Sequence, residues 1–556
     1  MSDLKDLESP VELTKRASRN LRGDLAEQLL APGANVTEEA GQLLKFHGIY
    51  AQDNRDSRRE RVQRGDVPEY MFMVRVAIPG GRLTPRQWLA LDRVSSEIAD
   101  RSIRLTTRQA VQFHGVAKAN LAALAGRISE ELMTSFGACG DVVRNIVTCP
   151  GLQTDDPNGA LAQMTAHLAA TLKPATNAHW EIFVNGDRAV SAEPEIEHDF
   201  YGSAYLPRKF KVAIGHPNEN CVDVFAQDLG LVPVEDKALG AGFVVLAGGG
   251  LGRSYANTDT FARLGEPLTF ARYDEIDELI RGVLVTYREL GGRVDRRRAR
   301  MKYLISDLGI SRFRQEVELR LGHALREAPL SPTPTGFDDH LGWRELPDST
   351  HQIGIRIPAG RVKDHVAGPQ FRKAIREIAQ RFDVIFYATA AQDLLVSHIH
   401  TDNRDEIAAI LVQSGITHAE DLGPVERGAL ACPALPTCGQ ALAESERRLP
   451  DLVGLLEQEM QTRDLADRSL QLRMTGCPNG CARPAVAEIG VVGKTKSTYD
   501  LFLGGGQRGD RLATLYREKV TIEQIPGLMA PLLDRWKGEG LHEESFGDFF
   551  NRVVDS

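Results

Sequence analysis

The sequence predicts an α+β fold in which two kinds of unit each occur twice. Three observations lead there. IPGGRL at 78–83 returns as IPAGRV at 357–362. GHPNENC (215–221), AQDLGLV and FVVLAGGG recur, in the same order, as GCPNGC (476–481), VAEIGVV and LFLGGG. Each IPxGR copy sits between a strand-like run and a helix followed by a second strand-like run. Two such half-domains far apart in one chain suggest a pseudo-twofold unit. At 556 residues the chain is long enough for several domains. The expected divisions are 1–64, 65–140, 141–335, 336–420 and 421–556.

Taken in order, residues 1–64 read as a polar arm. A helix begins in TEEAGQLLKFHG, and the arm ends in the charge run SRRERVQR, which suits a solvated face. MFMVRVAIP then reads as a strand broken by GGR, and Trp88–Ile98 as a helix. SIRLTTRQAVQFHG alternates. Ile103, Leu105, Val111 and Phe113 share one parity, while Arg104, Thr106, Arg108, Gln112 and His114 share the other. In one extended strand these parities point to opposite faces. The polar face, with two arginines four apart, suits a poly-anion. Both half-domain copies carry an arginine in the preceding strand, Arg75 or Arg356, but FDVIFYATAAQDLLVSHI lacks the arginine face. Cofactor chemistry is therefore expected in the first copy alone.

GACGDVVRNIVTC (137–149) places Arg144 between Cys139 and Cys149, both expected to be packing residues. In LPRKFKV, Lys209 and Lys211 are two apart, hence on one face of an extended segment. Like charges so placed repel, which suggests an anionic partner. GGRVDRRRARMKY (291–303) is the densest basic run. It suits a solvated helix end, a nucleic-acid contact or a docking patch for an acidic electron donor. The runs Gly248–Gly250 and Gly504–Gly506 are not followed by a Rossmann unit with an acid about twenty residues on, which argues against a dinucleotide site.

Four of the seven cysteines lie in two short loops, ACPALPTCGQ with Cys432 and Cys438, and TGCPNGCAR with Cys477 and Cys481. Pro478, Asn479 and Gly480 favour a tight reversal that turns both thiols one way, and Pro433 and Pro436 keep the first loop from becoming a helix. ALAESERRL after it reads as a helix whose start would favour an anionic cluster. Zinc sites have tighter spacing and often histidine. A disulfide needs an oxidising compartment that nothing here marks, and plain burial is the bland alternative. An iron–sulfur cluster on four thiolates fits best. GHPNENC matches the second loop with His216 in place of Cys477 and Cys221 roughly in place of Cys481. The first copy is therefore expected to be a relic, lacking one thiol and the upstream pair.

The net charge of −9 argues against bulk nucleic-acid binding. No stretch approaches the roughly twenty apolar residues of a membrane span. The N-terminus lacks an apolar signal core, so a cytoplasmic setting is expected.

C-x5-C followed by C-x3-C, embedded as ACPALPTC and TGCPNGCAR, resembles the signature of the sirohaem-dependent nitrite and sulfite reductases. KFHGIYAQDNRD and the terminal FGDF are also similar to that family, and the likeness runs from about residue 15 to about 549. It implies duplicated ferredoxin-like half-domains forming a pseudo-twofold unit plus two related α/β domains for sirohaem and a 4Fe–4S cluster. Cys432, Cys438, Cys477 and Cys481 would hold the cluster, with Cys481 bridging to the sirohaem iron. Arg75, Arg144, Lys209 and Lys211 would surround the open face of that iron. Arg104, Arg108, Gln112, His114, Arg300 and Asn479 would neighbour the cofactor. RLTTRQAVQFHG, GACGDVVRN and LPRKFK are closer to the sulfite branch. The expected activity is six-electron reduction of sulfite to sulfide, with nitrite reduction as the alternative and a non-catalytic iron–sulfur sensor or binding protein as a third reading. The sequence contains no flavin or NADPH module, so the donor is expected to be separate, either ferredoxin or an NADPH-dependent flavoprotein.

Overall fold

The computed structural model describes residues 8–151, 159–174, 182–184, 187–190, 200–329, 334 and 336–554, with the backbone alone at 182–184 and 187–190. The expected boundary at 335 and the start of the expected arm at 1–7 lie outside the described residues. The described residues hold four five-stranded sheets in two matching pairs and a separate two-stranded ribbon.

The first pair of sheets exchanges strands. Tyr70–Val76, Val111–Val116 and Ile103–Leu105 form the centre of one sheet. His351–Ile355, Leu394–Ile399 and Ile385–Ala388 form the centre of the other. The short strand Arg82–Leu83, which follows IPGG, pairs with Ile385–Ala388 of the second sheet. Arg361–Val362, which follows IPAG, pairs with Ile103–Leu105 of the first. Both IPxG turns place a residue at positive φ, Gly80 at 60° and Ala359 at 51°. Both following glycines lie against backbone, where a Cβ would meet Ala388 O at 2.1 Å or Leu105 O at 2.3 Å. The segment expected as an arm also contributes, since Ile49–Asp53 is the outer strand beside Tyr70–Val76. Helix Pro85–Glu97, closed by a Thr84/Gln87 capping box, lies against its counterpart Phe371–Arg381.

SIRLTTRQAVQFHG is not one strand. It is a tight hairpin, Ile103–Leu105 against Val111–Val116, turning through TTRQA with Gln109 at φ 51°. Arg104 stands opposite Gln112 across the hairpin, and Arg108 sits in the turn. The later copy turns identically through TAAQD, with Gln392 at φ 69°. Each turn glutamine reaches an α/β domain. Gln109 accepts from Thr148 N at 2.9 Å, and Gln392 from Ala431 N at 3.3 Å.

The second pair of sheets also matches strand for strand. Val147–Thr148, Val212–Ile214 and Leu229–Asp236 run parallel, followed by antiparallel Gly240–Ala247 and Glu266–Arg272. Leu430–Ala431, Leu472–Thr475, Ile489–Gly493, Tyr499–Leu503 and Thr514–Val520 repeat that order and sense. Each ends in a long amphipathic helix, Ile276–Leu290 or Ile525–Glu539. The glycine runs explain themselves here. A Cβ on Gly249 would meet Phe225 O at 2.1 Å, and one on Gly505 would meet Ala487 O at 2.3 Å. They permit close backbone approach.

Candidate active site

The two cysteine loops expected to hold a cluster hang from the parallel strands Leu430–Ala431 and Leu472–Thr475. Cys432 follows the first strand and accepts Gly476 N–H on its sulfur at 3.3 Å. Cys438 donates its N–H to Ala434 O at 2.9 Å, and the Cys477 loop closes through Arg483 N to Gly480 O at 2.9 Å. Burial pushes the Cys432 thiol up to about 12, with Cys481 adding to it. Burial and Cys481 likewise raise Cys477 and Cys438. Thiols crowded in this way suit a shared iron–sulfur core, whose iron would displace their protons. The expected helix over ALAESERRL is not formed. Leu442 and Ala443 both donate to Gly476 O, at 2.8 and 3.0 Å, and the helix begins only at Leu449. Arg55 clamps the loop from outside, donating to Ala441 O at 2.7 Å and Cys438 O at 3.2 Å. Half-buried within a charge run, Arg55 carries no sequence signal that separates it from the exposed arginines beside it.

Cys481 differs from the other three cysteines of these loops. It is exposed, where Cys432 and Cys477 are buried and Cys438 half-buried. It opens onto a crevice beneath the first half-domain, where Thr107 Oγ1 donates to Cys481 O at 3.0 Å. The structure gathers five predicted cations there: Arg75, Arg108, Arg144, Lys209 and Lys211. Arg75 donates to Cys139 Sγ at 3.0 Å. With its amide oxygen turned toward that guanidinium, Gln112 accepts from Arg75 at 2.5 and 3.2 Å. Arg108 bonds Gln227 Oε1 at 2.9 Å and the carbonyls of Asn145 and Val212. Arg144 donates to Gly140 O at 2.8 Å. None of the five forms an ion pair with a carboxylate among the described residues. Burial, then neighbouring cations led by Arg300, holds Lys209 down to about 7. Burial, then Arg108 and Lys209, pushes Lys211 well down, and burial with Arg144 lowers Arg108 to about 9. Cys139, fully buried, lies behind Arg75, and Tyr50 joins it there, its hydroxyl raised to about 12 by burial and then Cys139. Tyr50 escaped the sequence reading because one tyrosine in a strand gives no pattern.

Two predicted contacts, Arg104 and Arg300, are paired with acids. Arg104 is buried and pairs with Glu446 while donating to Ala431 O at 2.8 Å, so it braces the cluster strand from behind. Arg300 is paired with Asp228 at 2.7 Å. Asn479 stands exposed on the cluster turn, its carbonyl 2.9 Å from where a Gly252 Cβ would be. His114 is buried with neither ring nitrogen hydrogen-bonded. The basic run 291–303 is consumed internally. Arg293 and Arg296 pair with Glu12, Arg296 also with Asp141, Arg298 with Asp307, and Lys302 caps Gly250 and Gly252 carbonyls. It is thus not the free docking patch it resembled.

The duplicated domains also correct two sequence alignments. Gly354, not Arg356, takes the place of Arg75. Gly354 faces Leu395 as Arg75 faces Gln112. In the cluster loops, Ile214 matches Met474 in the sheets, and Asp223 matches Arg483 as the left-handed residue before a short helix. The spacing between each pair is equal, so Cys221 falls at Cys481 and Pro217, not His216, at Cys477. The upstream pair is not wholly lost either. Cys149 leaves strand Val147–Thr148 and donates to Ile214 O at 3.3 Å, as Cys432 leaves its strand and donates to Met474 O at 3.3 Å.

A crevice of unpaired cations over one exposed cysteine, carried by a doubled α+β scaffold, defines a redox protein built to hold a poly-anionic cofactor against a metal cluster. The comparisons with known proteins agree. Residues 163–325 match the model described as "Nitrite and sulphite reductase 4Fe-4S domain", and residues 64–131 the "Nitrite/Sulfite reductase ferredoxin-like half domain". The chain is 41% identical to the sulfite reductase [NADPH] hemoprotein beta-component of Methylorubrum populi, over 98% of this chain and 89% of that one. It is 40% identical to the protein of that name from Myxococcus xanthus, over 98% and 96%. The Mycobacterium tuberculosis NirA protein shares the fold, with a TM-score of 0.79 at 22% identity over 100% of this chain and 98% of that one. The chain belongs to the nitrite and sulfite reductase family. No helix among the described residues is long and apolar enough to cross a membrane.

Proposed function

We propose that the chain is the haemoprotein of a sulfite reductase, converting sulfite to sulfide with sirohaem and a 4Fe–4S cluster. The supporting observation is the set of five cations without acid partners that faces Cys481. Both groups fit. Cys432, Cys438, Cys477 and Cys481 offer four thiolates from two loops, and the cations with the unpartnered His114 and the buried, unpartnered Arg108 Nε offer what a polycarboxylate needs. When bound, the cluster would supply electrons singly and the sirohaem an iron at which an oxyanion is reduced.

The chain's own part is electrostatic and protonic. Arg75 and Arg144 would hold the oxyanion. Charge fixed in a site shielded from water stabilises developing charge without reorganisation. Lys209, held down to about 7 by burial and neighbouring cations before an anion enters, becomes an ammonium beside a bound poly-anion and would donate a proton to the departing oxygens. Lys211 beside it would share that role. Gln112 and Cys139 keep Arg75 oriented without neutralising it.

The substrate reading rests on the sulfite reductase relatives, and their names also carry NADPH. A separate NADPH-linked donor is therefore proposed, with ferredoxin the competing donor, in a reducing compartment such as the cytoplasm. Two measurements test this. The visible spectrum of the purified protein should show bands of a reduced porphyrin, and their absence ends the reductase reading. With a chemical donor, steady-state rates should favour sulfite, and a clear preference for nitrite reverses the substrate.

A further inference from the structure

The place in the first α/β domain that corresponds to the cluster is not chemically silent. Cys149 and Cys221 occupy the positions of Cys432 and Cys481. Two other donors complete a tight group, Glu219 from the Cys221 loop and His340 from the segment leading into strand Gly342–Glu345. The four donor atoms all lie within 4.8 Å of one another, and all four residues are buried, none more than 8% exposed. Cys149 Sγ is 2.5 Å from Glu219 Oε1 and 3.6 Å from His340 Nε2, and the last two atoms are 3.8 Å apart. Bond lengths of about 2.3 Å to sulfur and about 2.0 Å to nitrogen or oxygen put tetrahedral ligands roughly 3.3–3.8 Å apart. Two of the three separations already fall in or at the edge of that range. The shorter one is the thiol–carboxylate hydrogen bond that a cation would replace.

The surroundings are those of a metal centre. His340 Nδ1 makes no hydrogen bond and faces Asp338 Oδ2 at 3.6 Å, while Asp338 also accepts His340 N–H at 2.8 Å and pairs with Arg344. A carboxylate behind the non-ligating nitrogen fixes the tautomer of a metal-bound histidine. The second oxygen of Glu219 accepts Cys221 N–H at 2.6 Å, aiming the carboxylate. His340 is also held at φ 61°, a conformation costly for a non-glycine residue and common where a side chain is aimed for function. Glu219 bridges to Gly336, so the group joins the first α/β domain to the lead-in of the second half-domain.

We propose that Cys149, Cys221, Glu219 and His340 bind one zinc ion. Two thiolates, an imidazole and a carboxylate in a closed, tetrahedral-sized group favour zinc over calcium or magnesium, which take oxygen ligands. The ion would stand where the duplicated ancestor of the cluster site stood, holding segment 336–342 in place.

The test uses holoenzyme from zinc-replete cells. Elemental analysis should find about one zinc per chain, and X-ray absorption at the zinc edge should show sulfur and nitrogen or oxygen neighbours together. His340→Ala and Cys221→Ala should each lose the zinc while keeping wild-type iron and acid-labile sulfide. Wild-type protein without stoichiometric zinc, or with zinc bound by oxygen and nitrogen alone, overturns the proposal even if neither variant folds. Variants that retain wild-type zinc also overturn it.

Discussion

Two crevices lie under the two half-domains, related by the same pseudo-twofold, and they balance charge in opposite ways. In the second, lined by Arg356, Arg427, Arg473 and Arg483, every arginine has an acid. Arg356 pairs with Asp393 at 3.0 Å, Arg427 with Asp339, and Arg473 and Arg483 both with Asp223, at 2.7 and 2.9 Å. In the first, Arg75, Arg108, Arg144, Lys209 and Lys211 have none among the described residues. The turn TTRQA of the first copy is TAAQD in the second, so Arg108 became Ala391 and Ala110 became Asp393. Cations are thus not the mark of the working site. Cations left without carboxylates are, because a buried charge so left is tolerable only where a ligand supplies the counter-charge.

The largest expected break in the comparison is at the cysteines. Cys481→Ser should lower turnover by more than about three orders of magnitude and abolish magnetic coupling between cluster and sirohaem, as read by electron paramagnetic resonance. Intact coupling would remove Cys481 from the electron path. Next comes Lys209→Ala, expected to lower kcat roughly 10²–10³-fold with the visible spectrum retained. Unchanged turnover would remove Lys209 from the catalytic residues.

The second crevice should respond in stability instead. Arg356→Ala strands Asp393, whose carboxyl burial already raises to about 6. Stranding one partner of a buried pair costs about 3–5 kcal/mol, seen as a lower denaturation midpoint with kcat unmoved. Replacing both Arg356 and Asp393 by leucine should recover most of that loss. A smaller change makes the first crevice more like the second. Gln112→Glu gives Arg75 an acid and should raise KM for sulfite about tenfold, equivalent to about 1.4 kcal/mol.

What the sequence revealed follows from how far apart the cooperating residues are. The cysteine loops and the two repeats were legible because each is a local pattern. The hairpin at 103–116 reads as one strand in the sequence because alternation survives across a turn of five residues, and the reversal shows only in the backbone, with Gln109 at positive φ. The withdrawal of Arg104 depends on Glu446, 342 residues away, and that of Arg300 on Asp228, 72 away. The false helix after Cys438 failed because a single carbonyl, Gly476 O, takes the N–H groups that a first turn would otherwise present. Neutralisation is a tertiary property, so the sequence showed where cations cluster but not which clusters are spent.

The finest test of that difference is a proton count. Lys209 lies near 7 because burial and surrounding cations disfavour its charge. At pH 8, above that value, it is about nine-tenths neutral in the protein without sirohaem. A poly-anion entering the crevice favours the ammonium form and returns the lysine toward its ordinary range, so binding takes up protons at pH 8. At pH 6, below about 7, the lysine is already charged and its share of the uptake disappears. Titrating sirohaem into cluster-loaded protein in buffers of different ionisation enthalpy should show uptake approaching about one proton from Lys209 at pH 8. That contribution should vanish in Lys209→Met. Equal uptake in the variant would mean that the first crevice, like the second, has its charge settled before any ligand arrives.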